Sequence, residues 1–245
     1  MREQIILEIK GVTKSFGGLI ALKNIDFELK EGEILGLIGP NGAGKTTMFN
    51  VIAGAIKADK GTIMYKNRNI MNKLPDKLCH LGIARTFQIT KPFQDMSLVD
   101  NVVVGSYFGK KNSNLLQARK KAKEILKFIG LEELANRDAK DLSIGNLKKL
   151  ELARALATDP DVLLIDEVIG GLTPTEGNEV VEIIRKIREK DVSIIMIEHV
   201  MKAVMSVSDR MIVLNHGEIL ARGKPKEIAE NKNVIEAYLG GIKDA

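Results

Sequence analysis

The chain has 245 residues, with 37 Lys and Arg against 32 Asp and Glu (net charge +5) and 44% hydrophobic residues. That length holds one large domain, or one domain with an inserted subdomain, around a core of its own, and no block of like charge argues for a nucleic-acid partner. A single cysteine, Cys79, excludes an internal disulfide framework and suits a reducing compartment.

Residues 5–10 and 20–28 read as short strands separated by a turn at Gly17-Gly18. The opening Met1-Arg2-Glu3-Gln4 has no apolar stretch of the secretory kind. The best apolar runs, 162–165 and 194–197, fall far short of the roughly 20 residues that cross a bilayer, so any membrane span is expected from a partner. Residues 33–38 form a buried strand that enters a glycine-rich loop, and 45–53 have helical composition. Strands are expected at 61–65 and 83–87. From 89 to 160 the pattern changes to successive helices. One is capped by Ser97 with Asp100, one covers 115–129 and stops at Gly130, and one covers 145–157.

Strand and helix then alternate: strand 162–165, helix 175–190, strand 193–197 and a hairpin of 210–214 with 218–221 around His216-Gly217. Thr173-Pro174-Thr175-Glu176 is a capping box with proline at the first helical position. Val180, Val181, Ile183, Ile184 and Ile187 give that helix one apolar face. The resulting fold is α/β, a mostly parallel core with antiparallel strands at its N-terminal end and an all-helical insertion.

Gly39-Pro40-Asn41-Gly42-Ala43-Gly44-Lys45-Thr46 satisfies the pattern G-x-x-x-x-G-K-[ST]. Glycines let the chain curl so that successive N–H groups point at phosphate oxygens, and the following helix aims its positive end at the same place. Lys45 is expected to reach the β- and γ-phosphates of a nucleotide, with Thr47 beside it. Thr46 would ligate Mg²⁺ through its hydroxyl. Val162-Leu163-Leu164-Ile165-Asp166-Glu167 is an apolar strand ending in two acids. Parallel sheets place ligands at strand carboxyl ends, so both acids should face the loop. Asp166 suits a Mg²⁺ ligand, and Glu167 suits polarisation of an attacking water.

Further segments resemble those of the ATP-binding subunits of ABC transporters. Leu142-Ser143-Ile144-Gly145-Asn146 resembles the signature Leu-Ser-Gly-Gly-Gln, and Gln88 falls where that family keeps its Q-loop glutamine. His199 falls at the switch histidine, and Phe16 at the aromatic residue that stacks on adenine. The resemblance covers nearly the whole chain and implies a P-loop NTPase (RecA-like) core, residues 1–88 and 161–222, with the antiparallel β subdomain. A helical subdomain, 89–160, would carry the signature, and a helical tail would span 223–245. It further implies ATP and Mg²⁺ as ligands, with Gln88 as an added Mg²⁺ ligand and Glu167, His199 and Gln88 as the catalytic set.

The string Ala84-Arg85-Thr86-Phe87-Gln88, together with Ile197-Glu198-His199 and Glu236-Ala237-Tyr238-Leu239-Gly240, is similar to the larger ATPase subunit of high-affinity branched-chain amino-acid importers. Expected partners are transmembrane permease subunits, a second ATPase subunit whose ATP would meet Ser143, Ile144, Gly145 and Asn146, and indirectly a periplasmic or extracellular binding protein. The expected place is cytoplasmic, on the inner face of the membrane. The alternatives are the ATPase of a lipid or lipopolysaccharide exporter and a soluble ABC factor acting on ribosomes or DNA. Ile144, Asn146, Val168 and Thr173 depart from the family pattern at positions that bear on trans contact and hydrolysis rate. His80 and His216 lack metal-ligand company and are expected at the surface or in turns, and Met201 and Met205 in the core.

Overall fold

Two long strands, β1 (Ile5–Phe16) and β2 (Leu19–Lys30), pair antiparallel across the Gly17-Gly18 turn. β3 (Ile34–Ile38) leads through the glycine loop into α1 (Lys45–Ile52), and β4 (Lys60–Tyr65) with β5 (Arg68–Asn69) returns to β1. α2 (Pro75–Leu81) precedes β6 (Ile83–Arg85). Three helices follow, α3 (Leu98–Tyr107), α4 (Leu115–Ile129) and α5 (Ile144–Ala157). The chain then runs through β7 (Val162–Asp166), α6 (Pro174–Arg188), β8 (Ser193–Ile197), α7 (Met201–Val207), β9 (Arg210–Asn215), β10 (Glu218–Gly223), α8 (Pro225–Ala229) and α9 (Lys232–Gly240). This computed structural model describes residues 4–110 and 114–240. Residues 1–3, 111–113 and the last part of the expected tail, 241–245, lie outside the described residues.

The main sheet has the order β10-β9-β3-β8-β7-β6, parallel except for the β9–β10 hairpin. The second sheet, β2-β1-β4-β5, is antiparallel. β3, β7 and β8 are buried at every position because both faces of the main sheet are covered. Alternation assigns their side chains to two cores. Leu35, Leu37, Leu164, Ile195 and Ile197 face α1 and the antiparallel sheet. Ile34, Ile38, Leu163, Ile165, Ile194 and Met196 face α6 and the helices α3–α5. Each such fully buried aliphatic side chain contributes about 1.5–3 kcal/mol of hydrophobic stabilisation. The sheet's strand tips are thereby held rigid.

Local signals set the helix starts. Thr173 caps α6, with Glu176 completing the reciprocal bond and Pro174 in the first turn. Asn114 and Gln117 do the same for α4, and Ser97 accepts from the Asp100 N–H at the start of α3. The expected apolar face of α6 is buried in full.

β6 ends at Arg85, two residues short of the expected strand. The Thr86 N–H still reaches the Leu164 carbonyl, but the Thr86 hydroxyl takes the Asp166 N–H at 3.0 Å. That side-chain bond replaces the next ladder bond, and the chain peels away before Gln88. α2 and α7 carry only one and two buried residues, too few to show as an apolar stripe in the sequence. Met201 and Met205 sit on α7, partly buried at the edge of the core and not inside it.

Candidate functional site

The loop between β3 and α1 is pressed against neighbouring backbone. A Cβ at Gly39 (φ +149) would lie 2.1 Å from the Leu214 carbonyl oxygen, and one at Gly44 (φ +104) 2.6 Å from that of Ala21. Only glycine fits there. The first turn of α1 holds no acidic side chain, so its positive end is left for an anion. Lys45 is 6% exposed, and its ammonium donates to the carbonyls of Gly39 (2.7 Å) and Pro40 (2.9 Å). Burial pushes its pKa down, opposed by the charges of Glu167 and Asp166.

A cavity of about 410 Å³ opens over this loop. Residues 41–47 form one wall, Phe16, Leu19, Ile20, Ala21 and His216 face them, and Glu167 and His199 close one end. Thr46 is exposed and Thr47 half-buried. Phe16, at the end of β1, is 47% exposed, with the Lys14 ammonium 5.2 Å from its ring centroid. His216 lies in the β9–β10 turn as expected and also faces this cavity. His80 is exposed at the surface, as expected, on α2, its Nδ1 3.1 Å from the Gly109 carbonyl oxygen.

β7 delivers Glu167 to the cavity's end, and Asp166, beside it, does not line the cavity. Asp166 is 2% exposed, and Arg85 donates to its Oδ2 at 3.0 Å. Burial pushes the Asp166 pKa up, while the Arg85 charge and hydrogen bond pull it down. Glu167 takes a left-handed backbone conformation (φ 48), which costs a residue with a side chain about 1–2 kcal/mol. Its N–H is held by the Ile197 carbonyl at 2.9 Å. The turn aims the carboxylate between two groups: Gln88 Nε2 donates to Oε2 at 2.5 Å, and His199 Nε2 lies 2.6 Å from Oε1. Gln88, Glu167 and His199 come from three segments far apart in sequence and meet at one point.

Ser143, Ile144, Gly145 and Asn146 do not line this cavity. Ser143 caps α5, its hydroxyl accepting the Asn146 N–H at 3.3 Å. Ile144 is 63% exposed, and a Cβ on Gly145 would meet Glu176 Oε1 at 2.5 Å.

Lys148 and Glu198 adjoin the site although the sequence reading gave neither a role. The buried stripe of α5 runs Gly145, Lys148, Leu152, Ala155. A lysine at that spacing was the readable signal. Its ammonium donates to the carbonyls of Gln88 (2.7 Å) and Glu167 (3.0 Å). Glu198 is 2% exposed. Its Oε1 accepts the Ile169 N–H at 2.7 Å, and Oε2 has no hydrogen-bond partner among the described residues.

Burial, aided by the Glu167 charge against the pull of Ile169 and Lys148, raises the Glu198 pKa from 4.5 to about 7. A raised folded-state pKa gives stability that is complete below pH 4.5 and is lost as pH rises through 7. The wild type should lose up to about 3 kcal/mol across that window, a share that Glu198→Gln does not lose. Melting scans should show the variant's Tm gaining on the wild type by several degrees between about pH 5 and pH 8. A constant difference refutes the assignment.

Mg²⁺ is tested by the donors present. The Thr46 hydroxyl on the cavity wall, the Asp166 carboxylate and the Gln88 amide oxygen are hard donors of the kind Mg²⁺ takes. Among the described residues no three His, Cys, Asp or Glu side chains converge as a self-sufficient metal cage.

The sequence profile of the ABC transporter family matches residues 22–170, and that of the branched-chain amino acid ATP-binding cassette transporter matches 218–243. The chain belongs to the ABC transporter family. The high-affinity branched-chain amino acid transport ATP-binding protein LivG of Escherichia coli strain K12 is 40% identical, over 97% of this chain and 98% of that one. The corresponding protein BraF of Pseudomonas aeruginosa is 38% identical, over 96% and 98%. The crystal structure of the ADP conformation of an ABC transporter cassette superposes with a TM-score of 0.88 at 32% identity, covering 97% of this chain and 99% of that one. A dimeric post-hydrolysis cassette bound to ADP and Pi gives 0.79 at 29%, covering 89% and 98%. This ABC cassette is thus a nucleotide-binding ATPase with the P-loop fold anticipated from its sequence.

Proposed function

We propose that this cassette powers uptake of branched-chain amino acids, hydrolysing ATP in the cavity over the phosphate loop as one of two cassettes on a permease. The observation that carries the catalytic part is the Glu167 carboxylate, held between Gln88 and His199 at the end of that cavity. Residues 39–47 cradle the phosphates, with Lys45 leaving its carbonyl partners for the β- and γ-phosphates, and Phe16 stacks on the adenine. Glu167 takes a proton from the attacking water, and His199 and Gln88 orient it. Thr46, Asp166 and Gln88 would hold Mg²⁺, which when bound supplies positive charge to the transferring phosphoryl group.

Pairing with a second cassette is supported by the place of residues 143–146, outside this chain's own cavity and with Ile144 exposed, and by the dimeric relative. From there they would close on the partner's ATP. A permease partner is supported by a second cavity, about 290 Å³, between α2, α3 and α5, with exposed Phe87 on its wall and exposed Ile89 and Phe93 close by in sequence. Among the described residues no helix is long and apolar enough to cross a membrane. A permease would therefore supply the span, an extracellular or periplasmic binding protein the cargo, and the cassette would sit on the cytoplasmic face.

The cargo is supported by the LivG and BraF relatives and by the tail profile, which also disfavour a lipid exporter or a ribosomal factor. The test is reconstitution in proteoliposomes with the neighbouring permeases, second cassette and binding protein. Leucine uptake should require ATP and this chain. Turnover that responds to lipid substrates or ribosomes, with no amino-acid uptake, overturns the reading.

A further inference from the structure

Lys148, 9% exposed, lies on the helix that Ser143 caps, yet its ammonium reaches the backbone of Gln88 and Glu167. It donates to the backbone carbonyls of Gln88 and Glu167 at 2.7 and 3.0 Å. The side chains of those two residues are themselves joined, Gln88 Nε2 to Glu167 Oε2. Lys148, Gln88 and Glu167 therefore form a closed ring of three hydrogen bonds. The ring matters because both peptides it grips are irregular. Gln88 lies past the end of β6, and Glu167 holds a left-handed conformation whose N–H is tied to Ile197. Lys148 secures the carbonyl of the same residue, in the next peptide group.

We propose that Lys148 is a positioning residue through which the helix that Ser143 caps sets the aim of Glu167 in the same chain. A shift of α5 moves Lys148 as a rigid part of the helix, and the ring passes that shift to the Glu167 peptide and to Gln88 together. Engagement of residues 143–146 by the opposite cassette's ATP would thus be felt at this chain's own site. This inference rests on the hydrolytic reading above. Glu167 remains the catalytic group, and Lys148 acts through the backbone of Gln88 and Glu167.

The experiment compares wild type, Lys148→Met, which keeps the stem and removes the charge, and Lys148→Arg, whose fork can still donate to both carbonyls. Steady-state ATPase activity is measured in the assembled transporter, and ADP affinity and amide hydrogen exchange in the purified chain. Lys148→Met should lower kcat about tenfold or more with KM for ATP and ADP affinity within about twofold of wild type. Exchange should speed up at residues 86–92 and 166–172 but not at 39–47, and Lys148→Arg should recover most of the rate. Unchanged kcat in Lys148→Met overturns the inference. So does a parallel loss of kcat, ADP affinity and protection at 39–47, which marks a general structural role. If the wild type itself fails to hydrolyse ATP, the functional reading falls. The exchange pattern of the nucleotide-free chain still decides whether Lys148 positions Gln88 and Glu167.

Discussion

Glu167→Gln should bind ATP with near wild-type affinity and lose about 10²–10⁴-fold in kcat, the range a positioned general base supplies. The amide keeps the shape of the carboxylate and can still meet Gln88 and His199 by rotating. It cannot accept a proton from water. The left-handed backbone at Glu167 and its bonds to Ile197 and Lys148 involve the main chain and survive the substitution. Bound ATP should therefore persist, and the variant should accumulate as a dimer on gel filtration with ATP present. Turnover within about threefold of wild type would remove Glu167 from the role of base.

Lys45→Ala should weaken ATP binding by about 30-fold or more, equal to ~2 kcal/mol, because charge-assisted bonds to phosphate are strong in a site shielded from water. Among the described residues lining the cavity, Lys45 is the one lysine or arginine. Without it the Glu167 carboxylate faces the triphosphate with no lysine or arginine on the cavity wall to offset it. The carbonyl of Gly39 also loses this partner, while that of Pro40 keeps the Ala43 N–H, so a modest fall in Tm accompanies the loss, about 1–3 kcal/mol for a group left without a partner in the interior. Titration calorimetry with ATP and with ADP separates the two effects. Unchanged affinity for both nucleotides would contradict the assignment of the phosphate loop.

Much of the site could be read without coordinates because its parts are local. The strand–loop–helix around residues 39–46 specifies its own glycine-dependent curl, and Thr173 with Glu176 specifies a helix start from four consecutive residues. The apolar run of β7 fixes a buried strand whose tip carries Asp166 and Glu167. Resemblance to a family added Gln88 and His199, which spacing alone leaves as an isolated glutamine and an isolated histidine. α2, by contrast, buries only Leu78, so its helix hardly appears in the apolar pattern. β6 ends early through a hydroxyl bond between Thr86 and Asp166, residues that no local rule connects.

The sequence by itself determined the phosphate loop, the acidic strand tip, the α/β alternation and the helix caps, since each depends on residues within one or two turns of one another. Only the tertiary structure shows that Lys148 and Glu198 are buried beside Glu167, the first on its backbone carbonyl. It also decided that Gln88, Glu167 and His199 share one hydrogen-bonded cluster. The physical reason is distance along the chain. A backbone carbonyl's partner, or the burial that raises a carboxyl's pKa, is set by segments separated by many residues, which meet only when the sheet and its covering helices pack.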